Sequence, residues 1–396
     1  MRKIFALLAL VLGVVSCQTE PEGFDATVGG EQDVNITVSL PEATRSDSAV
    51  GAFGNVNFDL YDVRFQCEVH YGDQKKALET QISDNGKTAT FPVRLIPGRD
   101  YKFVVWADLV EEDTTADLHY NTKTTAGLSA ITLKGEWNAM DDTRDAYTCA
   151  ETHKFLGDGN ISLTLTRPFA KLRVKTTDMN ELLGVDPAKA KVTYSTNHYT
   201  SFDAVNQTPG AKANIGDHDT LAFDIVEYTE NEGENKKTLF ADYFFATESQ
   251  EVVNFTLEVF EANGTPIIER TFNTAIPVKR NTLTTIEGNI LTYGDNITVT
   301  IEDEFANAGN TEEAPYYQAA VSNGVDLVKA LLQGREIIIL NNITVTAADV
   351  AAATRAGEAI NPVLNLNGFT ITIENDGTGA LVNLNGGTLT VEGEGS

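Results

Sequence analysis

The sequence predicts an all-β protein, two antiparallel β-sandwiches in tandem followed by a shorter segment of a different kind. Three observations carry this. Short runs of alternating apolar and polar residues recur from Val34 to Ile301, separated by Gly, Pro, Asn and Asp, which is the period of half-buried strands. Helical period is nearly absent over the same span. Asn263-Gly264 sits between two apolar runs, the strongest short-range hairpin signal in the chain.

Composition sets the bounds. A chain of 396 residues has room for two or three domains, and 42% hydrophobic residues argue against global disorder. The net charge is −28. Such a body repels phosphate backbones and anionic lipid surfaces, which argues against nucleic acid as a partner.

Met1 to Cys17 has the shape of a secretory signal peptide. Arg2 and Lys3 give a positive start, Ile4 to Val15 form a short apolar run, and Ser16 precedes a cysteine. No later stretch approaches the roughly 18 consecutive apolar residues of a membrane-spanning helix. Because it ends on a cysteine, the segment resembles a bacterial lipoprotein signal. The resemblance implies that Cys17 is acylated, becomes the new N-terminus and anchors the chain to the outer membrane without spanning it. An ordinary signal peptide that happens to contain a cysteine is the alternative. Residues 18–32 then form a polar leash, in which Glu20 and Glu22 partly match the surface-export signal of Bacteroidota lipoproteins.

The first sandwich is expected over residues 33–166. Val34, Ile36, Val38 and Leu40 alternate with polar residues. A breaker over Pro41–Ser48 follows and contains Arg45. Val56, Phe58 and Leu60 form the next run, and Val63 to Tyr71 continues it one residue out of phase, requiring a turn or bulge near Tyr61. Ala89 to Leu95 contains Pro92 and is expected at a sheet edge. Pro97-Gly98-Arg99-Asp100 is a turn, and Tyr101–Ala107 a more buried strand. Residues 108–158 are less regular, with Trp137 and Tyr147 as local anchors, before the strand at Ile161, Leu163 and Leu165. The second sandwich is expected over 167–301. Its strands lie at Ala170–Val174, Val192–Tyr194, Leu221–Ile225, Leu239–Ala246 (strongly apolar, hence central), Val253–Val259, Ile267–Phe272, 281–292 and 297–301. Cys67 and Cys149 are left as a pair that a buried thiol or a disulfide explains equally well.

Several strings together resemble the fimbrillin-like surface lipoproteins of Bacteroidota: Thr44-Arg45, Tyr101–Asp108, Asp145-Ala146-Tyr147, Arg167–Leu172 and Val278–Asn281. The resemblance covers about residues 17 to 300 and implies two transthyretin-like sandwiches. In that family an arginine after the first strand is cut by an arginine-specific protease, and a strand from the next subunit fills the vacated groove. Carried here, the cut falls between Arg45 and Ser46, and Val34–Leu40 is the strand removed; an ordinary exposed turn is the alternative for Arg45. Stalk fimbrillins donate their own C-terminal strand. This chain instead continues well past residue 301, which suits a tip, accessory or anchor subunit.

The third segment begins with an acidic linker, 302–315. Residues 316–396 hold an amphipathic helix over Gly324–Gln333, a strand from Glu336, and a string at Leu364–Ile373 that recurs 18 residues later at Val382–Val391. This resembles the helix-capped start of a parallel β-helix with one repeat per coil; two ordinary hairpins are the alternative. The last strand would expose an open edge, which the final residues, another molecule or further chain could cover.

The search for chemistry finds little. No metalloprotease helix, phosphate loop or nucleophile elbow is present. Asp217-His218-Asp219, Asp158-Gly159-Asn160 and Asn375-Asp376-Gly377 read as loops and turns, not metal sites. No catalytic residue, metal or cofactor is assigned. Asp47-Ser48-Ala49, Asp113-Thr114-Thr115 and Asp219-Thr220-Leu221 resemble the O-glycosylation sequon of exported Bacteroidota proteins, which would modify Ser48, Thr114 and Thr220. The expected function is a non-enzymatic structural or adhesive surface lipoprotein of fimbrillin type. Its partners would be the outer membrane, other fimbrial subunits, and a host or bacterial surface ligand. The rival is a stand-alone glycan-binding lipoprotein of a polysaccharide-capture system, which needs an exposed aromatic platform. Trp106, in an apolar strand, does not supply one.

Overall fold

The computed structural model describes residues 30–41, 53, 56–83, 86–157, 159–182, 184–213, 220–225, 236–292, 297–303, 311–314, 319–321, 323–332, 336–339, 341–351, 362–366, 368–374 and 389–393. Cys17, Arg45, Ser46, Ser48, Asp158, the Asp217–Asp219 and Asn375–Gly377 strings and Val382–Thr388 lie outside them.

The first sandwich is built from β1 (Gln32–Ser39), β2 (Tyr61–Tyr71), β3 (Gln74–Ala77), β4 (Gln81–Ile82), β5 (Thr88–Leu95), β6 (Asp100–Glu111), β7 (Tyr120–Asn121), β8 (Ile131–Leu133), β9 (Ala146–Lys154) and β10 (Asn160–Thr164). One sheet runs β10-β1-β5 and faces a second running β3-β2-β6-β9, with β4 also on β2. The alternating residues meet between them. Val34, Ile36 and Val38 of β1 share a core with Phe65 of β2, Phe91 of β5 and Phe103 of β6. β5 is an edge strand, as its Pro92 requires.

Two expectations change here. Phe58 and Leu60 do not extend a strand: they stand exposed in a turn, and β2 starts at Tyr61. Within the stretch expected to be irregular, β9 is a regular strand paired to β6 from Asp100–Lys154 to Asp108–Ala146. Its first four residues are all buried, so no alternation marks it.

The second sandwich contains β11 (Phe169–Thr176), β12 (Lys189–Tyr194), β13 (His198–Tyr199), β14 (Ser201–Asp203), β15 (Thr208–Pro209), β16 (Lys212–Ala213), β17 (Thr220–Asp224), β18 (Lys237–Phe245), β19 (Glu251–Phe260), β20 (Pro266–Val278), β21 (Thr282–Gly288), β22 (Thr298–Asp303) and β23 (Thr311–Ala314). Its sheets run β18-β11-β21-β22-β23 and β17-β12-β19-β20. The Asn263-Gly264 turn joins β19 to β20, with Gly264 at φ +87°. β18 is an edge strand, not a central one. Its apolar run is continuous because Leu239 and Phe240 fill the second core while Tyr243 and Phe245 face the first sandwich. β23, inside the expected acidic linker, pairs Thr311 with Glu302 and extends the sheet. The sandwiches are mostly antiparallel, but β1 with β10 and β11 with β21 are parallel.

The two sandwiches join face to face. Val104 and Trp106 on the outer side of β6 share a cluster with Phe169, Tyr243, Phe245 and Leu283 of the second sandwich. A small sheet, β15-β14-β8-β7, takes strands from both halves.

The last segment holds β24 (Ala319–Val321), α1 (Gly324–Leu332), β25 (Glu336–Ile339), β26 (Ile343–Val345), α2 (Ala347–Ala351), β27 (Val363–Asn365), β28 (Ile371–Ile373) and β29 (Thr390–Glu392). β24-β25-β27-β29 and β26-β28 are parallel throughout. Leu327, Val328 and Leu331 of α1 close over Ile337, Ile339 and Leu364. The coil is longer than the 18-residue repeat. Ile337 stacks on Leu364 and Leu364 on Val391, an advance of 27 residues. Each coil carries two strands, so the repeated string is only part of one turn.

Candidate functional site

β1 is the middle strand of its sheet. It pairs antiparallel with β5 over Gln32–Ser39 and parallel with β10 over Asn35–Ser39. In this sheet β5 and β10 are bonded to β1 and not to each other. Without β1, two strand edges would face one another across roughly 9.5 Å, twice the usual strand spacing, with their ladder groups unpaired. Val34, Ile36, Val38 and Leu40 point inward and are at most 6% exposed. At about 1.5–3 kcal/mol for each buried side chain, their burial is worth roughly 6–12 kcal/mol. The slot is therefore deep, alternating and dependent on an occupant.

The chain leaves the slot at Leu40, whose N–H donates to the Lys87 carbonyl at 2.9 Å. It returns at Phe53, which is buried at φ +57°. Phe53 packs edge-on against Tyr147, centroids 5.2 Å apart, and its N–H donates to Asp145 Oδ2 at 3.3 Å. Asp145 is the hub of the join between sandwiches. Arg167 Nε and Nη2 donate to it at 2.8–3.0 Å, and the Tyr147 hydroxyl at 3.1 Å. The Arg167 guanidinium also lies 4.7 Å over the Tyr147 ring. Asp145 and Arg167 are both at most 2% exposed. The two strings, Asp145-Ala146-Tyr147 and Arg167-Pro168-Phe169, thus form one contact.

Other buried polar groups line the same join. Lys171 Nζ donates to Asp142 Oδ1 at 2.9 Å and to the Tyr243 hydroxyl at 2.7 Å. Trp137 Nε1 and the Tyr194 hydroxyl each donate to Asp242 at 2.7 Å. Burial lifts the Asp242 carboxyl to about 6. In the first sandwich Arg64 Nε and Nη2 hold Asp108 at 2.9 and 2.7 Å, and Nη1 holds Asp117 at 2.8 Å. Sequence reading missed these pairings. A charged residue inside an apolar run, such as Arg64, Asp108, Lys171 or Asp242, is the signal that marks them.

Cys67 and Cys149 are free, buried thiols. Both strands pair with β6, and Val105 stands between the two residues, so no disulfide forms between them in this structure. Burial raises both thiols, Cys149 to about 12. Thr114 lies in the turn after β6, its hydroxyl donating to the Glu111 carbonyl at 3.1 Å, and Thr220 opens β17. Trp106 is fully buried and Trp137 is 5% exposed. Among the described residues no three His, Cys, Asp or Glu side chains gather as a metal site.

The fold is similar to solved chains. One is a fimbrial assembly protein from Parabacteroides distasonis, at 12% identity over 72% of this chain and 99% of that one, with a TM-score of 0.36. Another is the tip fimbrial protein Mfa3 of Porphyromonas gingivalis, at 13% identity over 68% and 99%, with a TM-score of 0.35. A Bacteroides thetaiotaomicron protein, proposed to bind polysaccharide, matches at 11% identity over 71% and 98%, with a TM-score of 0.39. At such identities none of them passes its function to this chain. No curated protein matches the sequence. Residues 25–325, which span both sandwiches, match DUF6562, and the chain belongs to this family of unknown function.

Proposed function

We propose that this chain is a non-catalytic subunit of a surface fimbrium, a tip, accessory or anchor piece tethered through acylated Cys17. On this reading, cutting between Arg45 and Ser46 frees β1, and a strand from another subunit takes its slot. The observation that carries the proposal is β1 itself: the first strand of the body, central in its sheet, burying four alternate apolar side chains, and leading directly into the arginine-containing stretch. Strand addition suits such a slot, since main-chain bonds supply affinity and the alternating pockets supply fit. Ser48, Thr114 and Thr220 remain the proposed O-glycan positions. The buried tryptophans remove the aromatic platform that a glycan-binding reading needs.

The test uses protein cut once between residues 41 and 53 and a labelled peptide of the Gly30–Leu40 sequence. The peptide should displace β1 and remain bound through gel filtration. A peptide carrying Ile36→Asp should not enter, because a carboxylate would lie in a fully buried position. Uptake of both peptides alike, or of neither, contradicts the proposal.

A further inference from the structure

We propose that β1 and β10 form a mechanical clamp, carrying tension from the N-terminal tether straight into the second sandwich. The two strands run parallel, from Asn35 opposite Asn160 to Ser39 opposite Thr164. Tension from the tether enters β1 at Gln32, its N-terminal end. It leaves β10 at Thr164, the C-terminal end, three residues before Arg167. Pulling these two ends apart slides parallel strands along one another, so every rung of the ladder is strained together. A pull that began at Ser39 and Thr164, where the two strands end side by side, would instead break the rungs one at a time.

The surroundings reinforce the sliding geometry. The Asn35 N–H donates to the Gly159 carbonyl at 3.2 Å and the Leu165 N–H to the Ser39 carbonyl at 3.1 Å, lengthening the ladder at both ends. On its other side β1 is paired with β5 along its whole length. Beyond β10 the chain is fastened at once. Thr148 and Thr166 exchange backbone bonds of 2.8 and 3.0 Å, Arg167 grips Asp145, and Asn281 accepts from the Arg167 N–H at 3.1 Å. From Arg167 the backbone runs directly into β11.

One consequence is that residues 40–159, most of the first sandwich, lie off the load path. The peptide bond after Arg45 lies within that bypassed stretch. Cutting it leaves the tether attached, and only displacement of β1 from its slot releases the molecule. This consequence rests on the scission proposed above; the clamp does not.

The experiment pulls the folded chain in optical tweezers through two pairs of covalent handles. In the first, handles at Gln32 and Glu181 load β1 and β10 in sliding geometry. In the second, handles at Pro41 and Glu181 load the same ladder from its end. The clamp predicts a several-fold higher rupture force in the first geometry. It also predicts a single release of roughly 400 Å, from residues 40–159 at about 3.4 Å each. A chain cut at a protease site inserted among residues 42–52 should rupture at that same force and then part completely. Equal forces in the two geometries, or small successive extensions from the Gln32 handle, would overturn the clamp. A cut chain that parts at lower force would overturn the bypass. An uncut Arg45 in cells would bear on the scission alone and leave both mechanical results standing.

Discussion

Replacing Asp145 tests the join between the sandwiches. Its carboxylate accepts from Arg167, the Tyr147 hydroxyl and the Phe53 N–H, and it is fully buried. Asp145→Asn keeps the shape and one acceptor oxygen but leaves the Arg167 guanidinium buried without its counter-charge. Breaking a buried pair from one side costs about 3–5 kcal/mol. Asp145→Ala would also strand the Tyr147 and Phe53 donors at about 1–3 kcal/mol each. That total approaches the whole stability of a typical protein, so the asparagine variant is the one to measure. Urea unfolding followed by fluorescence of Trp106 and Trp137, both buried at or near the join, gives the difference. The double variant Asp145→Asn, Arg167→Met removes both charges and should recover most of the loss, with a coupling of at least about 2 kcal/mol. A cost under about 1 kcal/mol for Asp145→Asn, or single-variant losses that simply add, would refute the assignment of this pair as the hub.

Acid should destabilise the protein before carboxylates in general protonate. Burial holds His119, beside Asp141, Arg144 and Lys134, and His198, beside Lys212, down at about 4 from an ordinary 6.5. Below pH 6.5 the unfolded chain therefore takes up protons that the folded chain refuses, at about 1.4 kcal/mol per pH unit for each histidine. Asp242 works the other way, since its carboxyl near 6 gains a proton in the fold first, returning about 3 kcal/mol. The net loss from pH 6.5 to 4 should be about 4 kcal/mol, read from urea midpoints, and Asp242→Asn should steepen it; a flat profile contradicts the burial of both rings. Cys67 and Cys149 should react with a thiol reagent only as fast as the protein opens, and prompt labelling, or a Cys67–Cys149 bridge found by mass, contradicts their buried, separated placement. Gly127→Ala should cost about 1–3 kcal/mol, because the residue has φ +63° and an added Cβ would stand 2.0 Å from Glu68 Oε1; an unchanged urea midpoint would contradict the docking of this turn on Glu68.

Strands with one wet face were legible in the sequence. β1, β5 and β10 alternate cleanly because one face is core and the other solvent or loop. The β19–β20 hairpin is marked by a turn that only Asn-Gly makes readily. Strands covered on both faces were not. β9 escaped notice because Ala146–Cys149 are buried without alternation. β18 looked central because its run is unbroken, although its burial comes from the neighbouring sandwich and not from flanking strands. The site shows the same division. The slot of β1 could be drawn from its apolar period, whereas Asp145 and Arg167 were noticed as strings and not as partners. Their meeting depends on how the end of β10 passes the start of β9, which no local pattern encodes. The coil advance of 27 residues was hidden for a similar reason, since the repeated string sets the turns and not which strands stack.

The most direct test of the account is the N-terminus of the mature protein taken from the surface of its own cells, read by mass spectrometry. The account predicts chains that begin at Ser46 and lack the Val34–Leu40 strand. Chains that all begin at an acylated Cys17 and run unbroken through Arg45 would contradict strand exchange at the slot of β1.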